Sequence, residues 1–223
     1  MVIATTDLIN RSRSTQRWKA VNQFTIPERK FLVKHFFIAA SLFVLATPVV
    51  IAQTSTWTPD PNHTEVNFVV KHLGIANVRG HFGKVTGTFQ VDPNDMTKSS
   101  VNVTIDVTGV NTAVVPRDND LKSARFFDVA EYPTATFAST GMTKASDGYI
   151  VAGNLTMRGV TRPVTLHLDP PAGPIKDAKN VTHMGFSATG TINRKDWGVG
   201  AFEPNTIVSD RVQLEIDADA VKQ

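Results

Sequence analysis

Hydrophobic and polar residues alternate along most of this chain with a period of two, which is the pattern of strands that bury one face. From Thr64 to His72, Val66, Phe68, Val70 and His72 share one face, while Glu65, Asn67, Val69 and Lys71 take the other. The clearest run sets Val101, Val103, Ile105 and Val107 against Asn102, Thr104, Asp106 and Thr108. Ala135–Thr140, Tyr149–Met157, Val160–Leu168, Val181–Ile192 and Val212–Ala218 read as further strands. Gly74, Gly80, Gly83 and Gly87 break the chain into short pieces, with Phe82 and Phe89–Val91 on either side of a bend. Turns are expected at W-T-P-D-P-N (57–62), D-P-N-D (92–95) and Asp147–Gly148, and a loop at P-P-A-G-P (170–174). About eight strands with almost no helix predict an all-β domain, closed as an antiparallel barrel or folded as a sandwich.

One stretch breaks the alternation. Arg117–Pro133 reads as a short helical insert, with Pro116 before it and Asp118 placed to cap its start. Leu121, Ala124 and either Phe126 or Phe127 form an apolar stripe at helical spacing, and Pro133 ends any helix by about Tyr132. Such an insert could line or plug a barrel, or it could simply close one end of a core.

Composition alters this picture at the N-terminus. Residues 34–52 have positive charge, then an apolar run from Phe36 to Ala46, then small residues leading to a cut after Ala52, the layout of a secretory signal. The apolar run is too short to span a bilayer, so export rather than stable membrane insertion is expected. Residues 1–33 are polar and aperiodic, and are read as a long n-region or as a start codon placed too early. The expected mature domain is 53–223. Residues 1–52 hold seven of the 23 Lys and Arg and two of the 20 Asp and Glu, leaving 16 basic and 18 acidic residues, a balance near −2. Its cations are scattered among acids without the clustering that a phosphate backbone requires, which argues against nucleic acid. Absence of cysteine removes disulfides, thiolate metal sites, a cysteine nucleophile and a lipid-anchoring cysteine.

Candidate chemistry is sparse. His63, His72, His81, His167 and His183 form no paired metal-binding spacing. His72 is the most informative, because strand parity puts it on the apolar face at a strand end. It is either a partly buried histidine bonded to a backbone carbonyl or a polar contact for a ligand head group. Asp118, Asp120 and Asp128 gather around the helical insert, where caps and turns explain them. No nucleophile elbow, P-loop or dinucleotide fingerprint is present. Phe68, Phe82, Phe126, Phe127, Phe137 and Phe186 are candidates for an aromatic lining, and an eight-stranded barrel has room for side chains or one small ligand.

V-N-F-V-V-K-H-L-G at 66–74, V-R-G-H-F at 78–82, R-D-N-D-L-K-S at 117–123, F-F-D with Tyr132–Pro133, G-N-L-T-M-R-G-V-T at 153–161 and R-K-D-W-G at 194–198 occur in order across nearly the whole mature chain. Together they resemble the YceI-like family, the bacterial polyisoprenoid-binding proteins of lipocalin-like shape. Trp197, where the family often has Phe, and D-A-D-A at 217–220, which lacks a frequent late Glu, depart from that pattern. The resemblance implies an extended eight-stranded antiparallel barrel with one short helical insert near 117–128. It implies a periplasmic carrier whose tunnel holds an isoprenoid lipid or quinone, with no catalysis and no cofactor beyond that ligand. Phe68, Val70, Phe82, Phe126, Phe127, Phe137 and Phe186 would line the tunnel. His72, Arg79 and Arg194 would be polar contacts at its mouth, and Trp197 could narrow one end. A homodimer is left open.

Three other readings stand beside this one. An enzyme acting on such a lipid would use His72 with Asp118 or Asp128 as an acid–base pair. A filled β-sandwich would bind another protein and have no cavity. An outer-membrane barrel would need an apolar outer band, whereas these outer faces carry Asn, Asp, Lys and Glu.

Overall fold

The computed structural model describes residues 54–223, so the expectations for residues 1–52, including the signal sequence and its cut after Ala52, lie outside the described residues. Strands β1 (Ser55–His72), β2 (Ala76–His81), β3 (Val85–Val91) and β4 (Ser100–Asp106) precede helix α1 (Val115–Lys122). Strands β5 (Thr134–Lys144), β6 (Tyr149–Met157), β7 (Val160–Leu168), β8 (Ala172–Lys176), β9 (Thr182–Asn193) and β10 (Arg211–Lys222) follow.

All ten strands belong to one antiparallel sheet, and eight of them close into a barrel in the order β10-β1-β3-β4-β5-β6-β7-β9. The ladder from Arg211↔Asn193 to Val221↔His183 joins β9 to β10 and closes the ring. Closure removes the exposed edges that an open sheet of this length would present. The expected eight-stranded barrel is therefore observed, with two extra strands. β2 pairs with the second half of β1, and β8 pairs with β9.

The alternation sets the inside. Val103, Ile105, Val151, Leu155, Leu166, Val212 and Leu214 are buried, while their polar neighbours face outward. Val69 is an exception to the expected parity, being buried on the outer face, where its register partners are the long side chains Arg79 and Gln213. Two inward glycines make room for rings. A Cβ on Gly80 would overlap the Phe68 ring at Cζ, and one on Gly153 would overlap the Phe137 ring at Cζ.

Three local expectations are corrected. Residues 57–62 are not a turn that leads into the domain but part of β1, because Trp57 pairs with both Phe89 and Lys222 and only the segment between Pro59 and Thr64 breaks register. Residues 172–176 form β8 despite their Gly and Pro, since an edge strand tolerates a missing backbone donor. The helix is earlier and shorter than 117–128. Val114 is its N-cap without a side-chain bond, and Pro116 sits in the first turn, where its absent N–H is not missed. Ser123 terminates the helix through hydrogen bonds to the Asp120 carbonyl, and Asp128 turns the chain with φ 53°. Ala124, Phe126 and Phe127 thus lie in the turns after α1, not on a helical stripe. Asp118 is inside the helix, and its carboxylate reaches back to accept from the Thr112 N–H at 2.8 Å rather than capping.

Candidate lipid-binding cavity

Every barrel strand sends apolar side chains inward, yet they do not meet in the middle. A cavity of about 440 Å³ results, within the range of small-molecule sites. It reaches from Ser99 and Ser100 at the end where β4 begins to Arg125 and Glu203 at the end covered by α1 and the 198–210 segment. Its walls are almost wholly aliphatic and aromatic.

Phe68, Val70, Phe82, Phe126, Phe127, Phe137 and Phe186 all line this cavity. Phe82 bridges two of them, its ring 5.3 Å from Phe68 and edge-on to Phe127 at 5.4 Å. Phe186 leans on Phe89 from across the barrel at 5.4 Å. The helical insert therefore does line the barrel: Arg117, Asp120 and Leu121 of α1 and Arg125 beyond it all face the cavity.

The polar residues expected at the mouth behave differently from one another. His72 is exposed on the rim, bridged through its backbone to Val208, and it borders the cavity. Arg79 does not border it. Val78 takes the inward position of β2, so Arg79 points out and pairs with Glu215 at 3.2 Å. Arg194 borders the cavity but its donors are already used. Its guanidinium, nearly buried, donates to the carbonyls of Val199, Gly200, Glu203, Val208 and Ser209 and pairs with Asp210 at 2.9 Å. Burial lowers its pKa, while the charges of Asp210 and Glu203 oppose that shift. Its role is to fold the 198–210 segment over the barrel end. Trp197 does not reach the cavity either, and so narrows neither end. It is buried in the one-turn 3₁₀ helix 194–197, with its indole N–H on the Leu155 carbonyl at 3.1 Å.

Sequence reasoning missed the charged rim. Arg125 pairs with Glu203 at 2.7 Å and with Asp120 at 3.6 Å, and all three border the cavity. Arg117 is held by Thr112, through its hydroxyl at 2.7 Å and its carbonyl at 2.9 Å. Burial pushes the Asp118 carboxyl up, but hydrogen bonds from Thr112 and the charge of Arg117 outweigh this and leave it below the ordinary range. Asp118 is thus committed to holding the segment before α1. Asp118, one of the two aspartates considered as a partner for His72, accepts instead from the Thr112 N–H and hydroxyl.

Comparison with known proteins gives a consistent answer. Residues 57–220 match the model of the YceI-like domain. Protein YceI of Salmonella arizonae is 36% identical over 189 residues, spanning 84% of this chain and 96% of that protein. The crystal structure of Burkholderia cenocepacia BcnA superposes with a TM-score of 0.65 at 26% identity, covering 72% of this chain and 98% of that one. A polyisoprenoid-binding domain from Saccharophagus degradans, implicated in plant cell wall breakdown, shares the fold, with a TM-score of 0.55 at 14% identity over 77% of this chain and all of that one.

Proposed function

The chain belongs to the YceI-like family, and on that premise we propose that its barrel binds a long apolar isoprenoid lipid, a polyprenyl chain or a quinone, and carries it in the periplasm without reacting on it. The observation that carries this reading is the cavity itself, which is walled by hydrocarbon from all eight barrel strands and is polar only at its ends. The fold shared with a domain described as polyisoprenoid-binding supports it.

The energetics fit a carrier. Each buried methylene contributes about 0.8 kcal/mol, so part of a prenyl tail supplies useful affinity with no charged anchor. Ordering and desolvation costs hold the total well below the sum over all carbons, which leaves binding reversible.

The test is native mass spectrometry of the protein purified from its own periplasm, with organic extraction of the same sample. A bound mass that extraction identifies as a prenyl lipid or quinone is the expected result. Phe68→Asp and Phe186→Asp should each lose that mass while keeping a β-rich circular dichroism spectrum. An empty protein that takes up no offered prenyl lipid, or lipid content unchanged in both variants, would overturn the reading.

A further inference from the structure

Seven large apolar side chains stand exposed among the described residues, and six of them gather at one end of the barrel, on three segments. Leu73 and Ile75 occupy the turn between β1 and β2, Val114 and Val115 the start of α1, and Phe202 and Ile207 the segment that covers the barrel end. Phe202 is 96% exposed and Ile75 81%, so these side chains stand clear of the core. Ile175, on β8, is alone at the opposite end.

The same three segments border the cavity. His72 and Val78 on either side of the turn, Arg117 and Leu121 of α1, and Ile207 and Val208 all line it. Ile207 both lines the cavity and is exposed, so the apolar wall continues to the outer surface there. Backbone bonds tie the segments together: the Leu73 N–H donates to the Ile207 carbonyl at 3.0 Å, and the Gly200 N–H to the Arg125 carbonyl, just beyond α1, at 3.1 Å. The turn holds Leu73 at φ 51° and Gly74 at φ 73°. Asn, Asp or Gly is usual at the first of these positions, and a leucine there costs backbone strain without gaining burial. Charge at this end favours an anionic partner. Asp120 and Glu203, the carboxylates that border the cavity here, are both paired with Arg125. Lys71, exposed at the end of β1, and Lys122, in the last turn of α1, form no ion pair among the described residues.

We propose that this rim seats the barrel on the surface of an anionic phospholipid bilayer, a step that rests on the reading of the cavity as a lipid site. Leu73, Ile75, Phe202 and Ile207 enter the boundary between headgroups and acyl chains, and Lys71 and Lys122 meet lipid phosphates. Affinity for such a surface grows with the apolar area buried and with attraction to anionic headgroups. The mouth then faces the membrane, and an apolar tail passes between acyl chains and cavity without being exposed to water.

The test is sedimentation of the protein, purified from its own periplasm, with vesicles of phosphatidylethanolamine and phosphatidylglycerol that contain no prenyl lipid. The protein should pellet with them, and less so when phosphatidylglycerol is left out or when Lys71→Gln and Lys122→Gln are combined. Ile75→Asp and Phe202→Asp should each weaken binding by about tenfold or more while keeping the thermal midpoint, because neither side chain is packed. Ile175→Asp, at the far end, should bind as the unaltered protein does. Failure to pellet overturns the docking surface, as does binding indifferent to phosphatidylglycerol, unchanged in the two rim variants or lost equally in Ile175→Asp. So does a dimer that Ile75→Asp and Phe202→Asp split in the absence of vesicles, since the rim would then face a second copy. The cargo is judged separately: a protein that pellets yet yields no prenyl lipid on extraction keeps the docking surface and loses the cargo, and a loaded protein that ignores vesicles does the reverse.

Discussion

Arg125 and Glu203 meet at 2.7 Å across the mouth of the cavity, tying the turn after α1 to the segment that covers the barrel end. Glu203 is only 20% exposed, but Arg125 is 56% exposed, so water reaches the pair from the arginine side. Their bond is therefore a clasp that opens at small cost rather than a part of the core.

Arg125→Ala should accordingly lower folding stability by no more than about 1 kcal/mol, as exposed ion pairs do. Exchange of a fluorescent prenyl probe should nevertheless become faster, in both loading and release. Stopped-flow fluorescence alongside urea unfolding separates the two effects. Unchanged exchange in Arg125→Ala and in Glu203→Gln would show that cargo leaves by another route.

Arg194 makes the opposite case. It is nearly buried, and its fork satisfies five backbone carbonyls and Asp210 at once. Arg194→Met strands those acceptors and Asp210, so a loss of about 3–5 kcal/mol is expected. Arg194→Lys should recover little of it, because an ammonium cannot reproduce the planar five-donor geometry. Urea unfolding gives the stability, and limited proteolysis should cut first within 198–210.

How far the sequence alone reveals this molecule follows from the same contrast. Alternation found the strands and the aromatic candidates for the interior, because burial of one face leaves a direct imprint on residues such as Val103, Ile105, Leu214 and Phe186. It left barrel and sandwich open, and only the family resemblance chose the barrel. It did not find β8, whose five residues are all exposed and so carry no pattern. Arg79 and Arg194 looked alike as unpaired cations in sequence. Their fates depend on partners far along the chain, Glu215 for one and the 198–210 carbonyls for the other.

Gly153 tests whether the cavity volume matters. Its Cβ position is filled by the ring of Phe137 and by the Ala138 carbonyl at 2.8 Å. Gly153→Val must drive Phe137 further into the cavity, with an overpacking cost of about 1–3 kcal/mol. Lipid content on native mass spectrometry should fall, and the variant should favour shorter prenyl chains. Pairing it with Phe137→Ala should restore capacity for the longer ones. Equal content in the single variant would mean that this part of the cavity is not occupied by cargo.

His167 gives the pH dependence. Its hydrogen bond with Asp147 at 2.9 Å raises the imidazole above its ordinary 6.5, partial burial opposes this, and the charges of Asp147 and Asp169 reinforce it. A raised value in the folded state means that the pair's contribution is fully present below pH 6.5 and is lost as pH rises through the higher folded value. Asp147 shows the complementary shift, since the same hydrogen bond lowers its carboxyl below 3.8, so the contribution fades again as acid protonates it. The pair therefore acts in mildly acidic solution and not in alkaline solution. His167→Gln should lower the urea midpoint at about pH 6 and leave it nearly unchanged at about pH 8.5. A midpoint difference that stays constant across that range would mean that His167 contributes through packing alone.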